Sequence, residues 1–188
     1  MRKASGEKKT FMKKIIFLSA LFILSCSLFA EHRIQFSLDK DVFSVYAEEN
    51  APTFTDGFHP FPFHAEGGSL SYIFEFPSEN RLHWLIGGDV GWNAWGANIC
   101  GQGGASVSLY QSEDANFDLQ FLTKFGFLFH LYNQVSVDFI VSHKKNHTFF
   151  YGLGLHNSAR AIFSKDAKYK FQKASDQIGF QVFCGYKF

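Results

Sequence analysis

The side chains with the clearest catalytic potential are a histidine and a serine two positions apart, His156 and Ser158. Residues i and i+2 share one face of a strand, so an imidazole base and a hydroxyl nucleophile could act together there. Such a pair also needs an acid to orient the histidine. The acids that follow it are Asp166 and Asp176, and no glutamate occurs after Glu113.

The same two residues resemble a catalytic pair found in one enzyme family. Lipid A deacylases of the PagL type are eight-stranded barrels with a His-x-Ser pair near the C-terminus and a downstream glutamate, and His156 and Ser158 are similar to that pair. The glutamate has no counterpart here. Alternation with Leu153 and Leu155 also predicts that the pair faces the barrel interior, whereas a lipid-cleaving site must face the bilayer. We therefore expect no enzymatic activity, no catalytic residues and no cofactor.

A second set of polar residues recurs on the inward face of the predicted strands. Buried charges must pair with one another, so we expect an ion-pair network that fills the interior. A narrow polar path is the alternative, because glycines on that face could leave room for it, although they could equally mark bends and tight closure. The predicted network comprises Asp39, Arg81, Asp89, Asp118, Lys124, Asp138 and Lys187, and the glycines are Gly87, Gly91, Gly104, Gly126, Gly152 and Gly154.

A long connection, from about residue 48 to 67, is rich in phenylalanine. Apolar side chains in a loop predict either contact with a partner or membrane, or a loop folded onto the barrel rim. His59 and His64 lie in the same connection, but two histidines without a third ligand predict no metal site. The predicted contact residues are Phe54, Phe58, Phe61 and Phe63.

The elements that position these residues are strands, marked by alternation of apolar and polar side chains. Eight alternating segments can be read, and the first changes phase before Phe43. Short polar links join most of them, which predicts an up-and-down antiparallel sheet. The segments begin near Ile34, Leu70, Leu82, Ile99, Phe117, Val135, Phe149 and Ile178.

Eight such strands could close into a soluble barrel or a transmembrane one. The more uniform face is rich in Phe, Leu and Val, while the other carries Gly, Ser, Gln and single charges. The chain also stops on a strand, as it can when the last strand of a closed barrel pairs with the first. We predict an all-β fold, an eight-stranded antiparallel up-and-down transmembrane β-barrel. Aromatic girdles would then include Trp84, Trp92, Trp95 and Tyr132.

The final strand resembles the C-terminal insertion signal of bacterial outer-membrane barrels. That signal ends on an aromatic residue, with a second aromatic two residues earlier and a polar residue upstream. Phe188, Tyr186 and Gln181 match it, whereas Phe183 occupies the usual glycine position. The chain thus resembles small barrels of the OmpA, OmpX and OmpW type, and its Phe and Lys content is similar to that of small spirochaetal barrels of unknown function. The resemblance implies outer-membrane lipid and the barrel-assembly machinery as partners.

Residues 1–30 have the features of a signal peptide with an N-terminal extension. Lys13 and Lys14 precede an apolar run, and Ala30 suits cleavage, although Cys26 lies in a segment similar to a lipidation box. Residues 31–188 would then form the barrel domain, with 12 basic and 16 acidic side chains and a formal net charge of −4. That balance indicates no nucleic-acid binding.

Two cysteines remain in the predicted domain, Cys100 and Cys184. Their strand phases place the first inward and the second outward, so we expect no disulfide between them.

Together these features predict a non-enzymatic barrel in the bacterial outer membrane. Its surface loops would bind a host or envelope ligand, or its body would support the envelope. The alternative is a narrow OmpW-like channel for small molecules, including hydrophobic ones.

Overall fold

The computed structural model describes Phe17 and residues 30–48, 51–56, 66–76, 81–143, 149–163 and 171–188, with the backbone alone at 48, 51–56, 163 and 171–172. None of these residues belongs to a helix with the length and hydropathy needed to cross a bilayer. The strands are β1 (Glu31–Glu48), β2 (Ala51–Asp56), β3 (Gly67–Phe76), β4 (Leu82–Asn93), β5 (Gly96–Gln111), β6 (Ala115–Leu128), β7 (Leu131–His143), β8 (Phe149–Phe163) and β9 (Phe171–Lys187).

The strands close into an antiparallel barrel. Neighbours pair in the order β1-β3-β4-β5-β6-β7-β8-β9, and β9 returns to pair with β1, which makes a ring of eight. The predicted all-β, eight-stranded antiparallel barrel is therefore confirmed. The short strand β2 was not predicted; it pairs with β1 between Ser44 and Glu48, beyond the part of β1 that pairs with β3.

The phase change predicted in the first strand is a β-bulge. The register of β1 against β9 shifts between Asp41 and Phe43, so inward positions are odd-numbered up to Asp41 and even-numbered from Ser44. Since side chains alternate faces strictly, one extra residue is enough to exchange the faces.

The distribution of polarity is the reverse of that in a water-soluble barrel. Large apolar side chains cover the outside, with exposed fractions of 72% at Phe127, 67% at Leu155 and 60% at Phe125. The buried interior is mainly polar, and its charged members are Arg33, Asp41, Glu75, Asp89, Lys124, Asp138 and Arg160, while Lys40 is buried at a position of outward phase.

Two small apolar clusters interrupt this interior on the side of the chain termini. They are fully buried, and the guanidinium carbon of Arg33 lies 4.5 Å from the centroid of the Phe150 ring in one of them. One cluster consists of Ile73, Leu85 and Leu122, and the other of Ile140, Phe150 and Phe183.

One predicted girdle residue lies inside instead. Tyr132 is 6% exposed, and its hydroxyl donates to Oε1 of Gln134 at 2.6 Å. The even-numbered positions of β7 all face inward, and Tyr132 follows that phase although it stands near a strand end. Trp84 and Trp92 are exposed on the outer face as expected.

Candidate functional site: the polar interior and the two ends of the barrel

The centre of the barrel is organised around Asp138, whose relative exposure is 0%. Its Oδ2 accepts hydrogen bonds from Nε2 of Gln120 at 3.0 Å and from Oγ of Ser136 at 3.1 Å, and its Oδ1 accepts one from Nε2 of Gln181 at 2.6 Å. These bonds join β6, β7 and β9 through one carboxylate. A buried acid with this many donors is satisfied in place, as buried polar groups must be.

A second group joins β3, β4 and β6. Nζ of Lys124 donates to Oδ2 of Asp89 at 2.9 Å and to Oγ of Ser69 at 3.0 Å, and Ser71 donates to the same Asp89 oxygen at 2.8 Å. Both charged side chains are almost fully buried. Two residues of the predicted network, Asp89 and Lys124, therefore form a direct ion pair.

A third group lies nearer the end opposite the termini. Oδ1 of Asp41 is 3.2 Å from Nε2 of His156, and Oδ2 of Asp41 accepts from Nη2 of Arg160 at 3.3 Å. The guanidinium carbon of Arg160 is 5.8 Å from the centroid of the Tyr132 ring. One carboxylate from β1 thus faces two basic groups from β8.

The His156 and Ser158 pair has the predicted inward orientation, with exposures of 3% and 0%. The acid beside the histidine is Asp41 of β1, not one of the acids that follow the pair in sequence. Neither Nδ1 of His156 nor Oγ of Ser158 has a hydrogen-bond partner among the described residues. Both side chains are packed inside the barrel, away from its outer surface.

The end that carries the termini has its own charged cluster around Glu75. Oε2 of Glu75 accepts from Nη1 of Arg33 at 3.4 Å, while Oε1 lies 2.9 Å from Nδ1 of His83 and 3.2 Å from Nζ of Lys187. Lys187 also forms an ion pair with Glu31. Beside this cluster a half-open cavity of about 440 Å³ is bounded by residues of seven strands.

Most of the predicted network lies inside the barrel, but in separate groups. Asp89 and Lys124 meet, and Asp39 borders the same small space of about 10 Å³, whereas Asp138 has its own partners. Asp118 and Lys187 border the terminal cavity instead. The structure thus divides the predicted set between the middle of the barrel and one end.

Arg81 is a correction to the predicted network. It is exposed and precedes β4, with a backbone φ of 59°. A side chain in that left-handed turn conformation is no longer held to the inward phase of the strand that follows. Its carbonyl accepts a hydrogen bond from the backbone of Ser108, so its described role is in the turn.

Sequence reasoning missed several buried charges. The alternation of Arg33 and Gln35 with Ile34 and Phe36 is a signal that could have identified Arg33. Lys40 had no such signal, because its phase points outward, yet it is 2% exposed and ion-paired with Glu66. The other missed members of the charged groups are Asp41, Glu75 and Arg160.

The mouth opposite the termini is crossed by aromatic and basic side chains. Nζ of Lys173 lies 5.3 Å from the ring centroid of Trp95 and 5.9 Å from that of Tyr46, within cation–π range. The Trp95 ring also contacts His130, at 6.0 Å between centroids. The β4–β5 turn, which holds Trp95, is thereby connected across the mouth to β1 and β9.

The three residues of the predicted assembly signal lie on different sides of the barrel wall. Gln181 is 1% exposed and bonded to Asp138, whereas Tyr186 and Phe188 lie outside with exposures of 51% and 58%. The backbone of Phe188 exchanges hydrogen bonds with that of His32, so the last residue belongs to the closing seam.

Several predicted features lie outside the described residues. These are Phe58, Phe61, Phe63, His59, His64, Cys26 and, except for Phe17 and Ala30, the predicted signal peptide. Of Phe54 only the backbone is described, in β2, where it pairs with Tyr46.

Several inward glycines lie where neighbouring strands and side chains approach closely, so they do not leave open space in the interior. A Cβ added at Gly152 would lie 2.2 Å from the carbonyl oxygen of Phe139 and 2.4 Å from the ring of Phe183. One added at Gly126 would lie 2.0 Å from the carbonyl oxygen of Ile99. At these positions only glycine lets neighbouring strands and side chains pack so closely.

The two cysteines are on opposite faces, as predicted. Cys100 is buried, Cys184 is exposed, and both are free thiols.

Comparison with known proteins identifies no family for the chain. No protein-family model and no curated protein matches it. Among solved structures it is similar to the crystal structure of Neisserial surface protein A, with a TM-score of 0.34 and 9% sequence identity over 81% of this chain and 95% of that one. The fold class itself stands on the strand pairing, and the resemblance to OmpA, OmpX and OmpW barrels holds for the eight-stranded barrel alone.

Proposed function

We propose that this protein is a non-enzymatic barrel of the bacterial outer membrane that acts through the surface loops at one of its ends. The observation that carries the proposal is the inverted polarity: apolar side chains outside and hydrogen-bonded polar side chains inside. In water, an apolar band of this extent would drive association. In a bilayer the same band is the favourable surface, and closure leaves no strand edge unsatisfied.

The lengths of the connections favour one orientation. At the end with the termini, short links join β3 to β4, β5 to β6 and β7 to β8. At the other end, the connections from β1 to β3 and from β8 to β9 are longer, and β1, β2, β8 and β9 extend beyond their neighbours. Membrane barrels have short periplasmic turns and longer external loops, which favours an external position for the extended side.

The extended side is where a partner would bind. The connection between β2 and β3 contains Phe58, Phe61 and Phe63 of the residues predicted to make contacts, and the fourth, Phe54, lies in β2, which pairs with β1. The proposed partner is a host or envelope ligand. A purely structural role in the envelope is the alternative within this proposal.

A conducting channel is the second candidate, and the packing of the interior disfavours it. The buried network spans the middle of the barrel, two buried apolar clusters lie toward the termini, and Lys173 and Trp95 meet at the mouth. A planar-bilayer recording of refolded protein should therefore show no steady single-channel steps. Reproducible steps would support the narrow-channel function instead.

The membrane part of the proposal is tested by extraction and gel mobility. The protein should remain in the membrane fraction through a high-salt, alkaline wash, and refolded protein should migrate differently before and after heating. A protein that is soluble without detergent after export would overturn the proposal. Exchanging residues 57–65 for a Gly/Ser linker of equal length should leave both properties intact while abolishing surface binding of the partner, which a structural role would not predict.

A further inference from the structure

The cavity at the terminal end has the size of a small-molecule site. Its volume of about 440 Å³ lies within the usual range for such sites, roughly 300–1,000 Å³. One wall is charged and the other is largely made of amide and hydroxyl side chains. The first wall holds Glu31, Glu75, His83 and Lys187, and the second holds Ser108, Gln111, Asn116, Asp118, Ser142 and His143.

The cavity ends blindly inside the barrel. The next inward side chain after Glu75 on β3 is Ile73, and the next after His83 on β4 is Leu85. These apolar residues are 0% and 3% exposed, and Ile140, the next inward residue after Ser142 on β7, is also 3% exposed. The next inward residues after Asp118 and Glu31 are Gln120 and Arg33, which are buried and joined by a hydrogen bond of 3.1 Å. A ligand that enters the cavity would therefore meet buried apolar and hydrogen-bonded side chains and would not pass through.

The acidic side chains of the charged wall form ion pairs with basic side chains next to them. Glu75 faces Arg33, His83 and Lys187, and Lys187 is shared with Glu31. These carboxylates already have basic partners, so they give little reason for a cation to bind.

The opposite wall carries one carboxylate, Asp118, whose charge acts on His83 across the cavity. Oδ1 of Asp118 accepts one hydrogen bond from Oγ of Ser108 at 2.7 Å, and no basic side chain of the described residues forms an ion pair with Asp118. An ionised carboxylate can accept about four hydrogen bonds. Asp118 thus presents a negative charge and free acceptor positions to the cavity.

The surroundings of Asp118 favour an organic cation over a metal ion. No group of three His, Cys, Asp or Glu side chains is arranged to hold a metal in the described part of the chain. The neighbours of Asp118 in the cavity, Asn116, Gln111 and Ser142, supply neutral hydrogen-bonding groups. Such groups suit the hydroxyls or amides of an organic ligand.

We propose that this cavity binds a small primary ammonium compound, with its NH₃⁺ group on Asp118 and its uncharged polar part against Gln111, Asn116 and Ser142. Two sources share this chemistry, a lysine side chain and an amino sugar. The site does not depend on which ligand the loops at the other end bind.

The test is an NMR titration of the whole barrel in lipid nanodiscs. The two probes are Nα-acetyl-lysine methyl ester and glucosamine, and each has a matched neutral form in which the amine is acetylated. At least one amine should give saturable shifts at the amides of residues 116, 118 and 142, whereas its neutral form should not. The amine that binds identifies the source.

Two variants test whether the carboxylate of Asp118 is the group that binds the amine. Asp118→Asn keeps an acceptor for Ser108 but should weaken amine binding by about tenfold, the loss expected for one charge-assisted hydrogen bond. Glu113→Gln removes the same charge from the neighbouring turn, outside the cavity, and should leave binding unchanged. An unheated gel checks that both variants fold. Equal binding by wild type and Asp118→Asn, equal binding of the acetylated probes, or no saturable shift with either amine would overturn the proposal.

Discussion

His32 and Phe188 are the residue pair at the end of the β1–β9 pairing that closes the barrel. Their rings stack with centroids 5.6 Å apart and planes at 15°, and their backbones exchange hydrogen bonds of 3.0 and 2.9 Å. Tyr72 joins them, because its hydroxyl lies 2.6 Å from Nδ1 of His32. The terminal aromatic residue is therefore both exposed on the outer face and tied to the first strand.

This position predicts that Phe188→Asp harms assembly in cells more than it harms the fold. A fully buried Phe contributes about 3–5 kcal/mol, and Phe188 is 58% exposed, so the folded barrel should lose less than that. The variant should refold in detergent yet reach the outer membrane at a much lower level, measured by surface labelling. Phe129→Asp alters a similarly exposed ring, at 68%, at the opposite end and is the control. Normal surface levels of Phe188→Asp would separate this residue from targeting.

The Lys124–Asp89 pair should be costly to break from one side only. Lys124→Met leaves Asp89 buried without its charge partner, and we expect a loss of about 3–5 kcal/mol in the free energy of unfolding. The double variant Lys124→Met/Asp89→Leu removes both charges and should recover most of that loss. Urea titration of the refolded barrel measures both. Similar losses in the single and double variants would show that the ion pair does not govern stability here.

Gly154 is predicted to be intolerant of even one methyl group. A Cβ there would lie 1.9 Å from Oδ1 of Asp138. The carboxylate of Asp138 accepts three hydrogen bonds through its two oxygens, and it cannot move without losing them. Gly154→Ala should cost about 1–3 kcal/mol, as overpacking does. Gly101→Ala is the matched control, since nothing lies within 4 Å of its added Cβ. The urea midpoint should fall for the first variant and stay unchanged for the second; equal midpoints would contradict the packing around Asp138.

The opposite orientations of the two cysteines predict selective labelling. In a Cys26→Ser background, a membrane-soluble maleimide should modify the exposed Cys184 of the folded barrel and leave Cys100, which is 3% exposed, unreacted. Intact-mass measurement should give one adduct, and none after Cys184→Ala. Two adducts on folded protein would mean that the interior around Cys100 opens on the time scale of labelling.

The faces of the strands were predictable from the sequence. In β7, the apolar Val135, Val137 and Phe139 alternate with the polar Ser136 and Asp138, and the structure exposes the first set and buries the second. Strand side chains have a period of two, so a local pattern is enough to assign faces and to predict a barrel. The same logic placed His156 and Ser158 inside and put Cys100 and Cys184 on opposite sides.

Only the tertiary structure decided which inward residues meet. Asp41 lies beside His156 and Arg160, which are 115 and 119 residues away, because barrel closure brings β1 next to β9 and the stagger of the strands sets their levels. The alternation of side chains does not predict how high an inward residue lies along the barrel axis, because the inward residues of all strands fit the alternation equally well. Burial of Lys40 under Glu66 and the turn position of Arg81 likewise depend on how the chain enters and leaves its strands. The strand pattern therefore determined the faces, and the three-dimensional closure determined the partners.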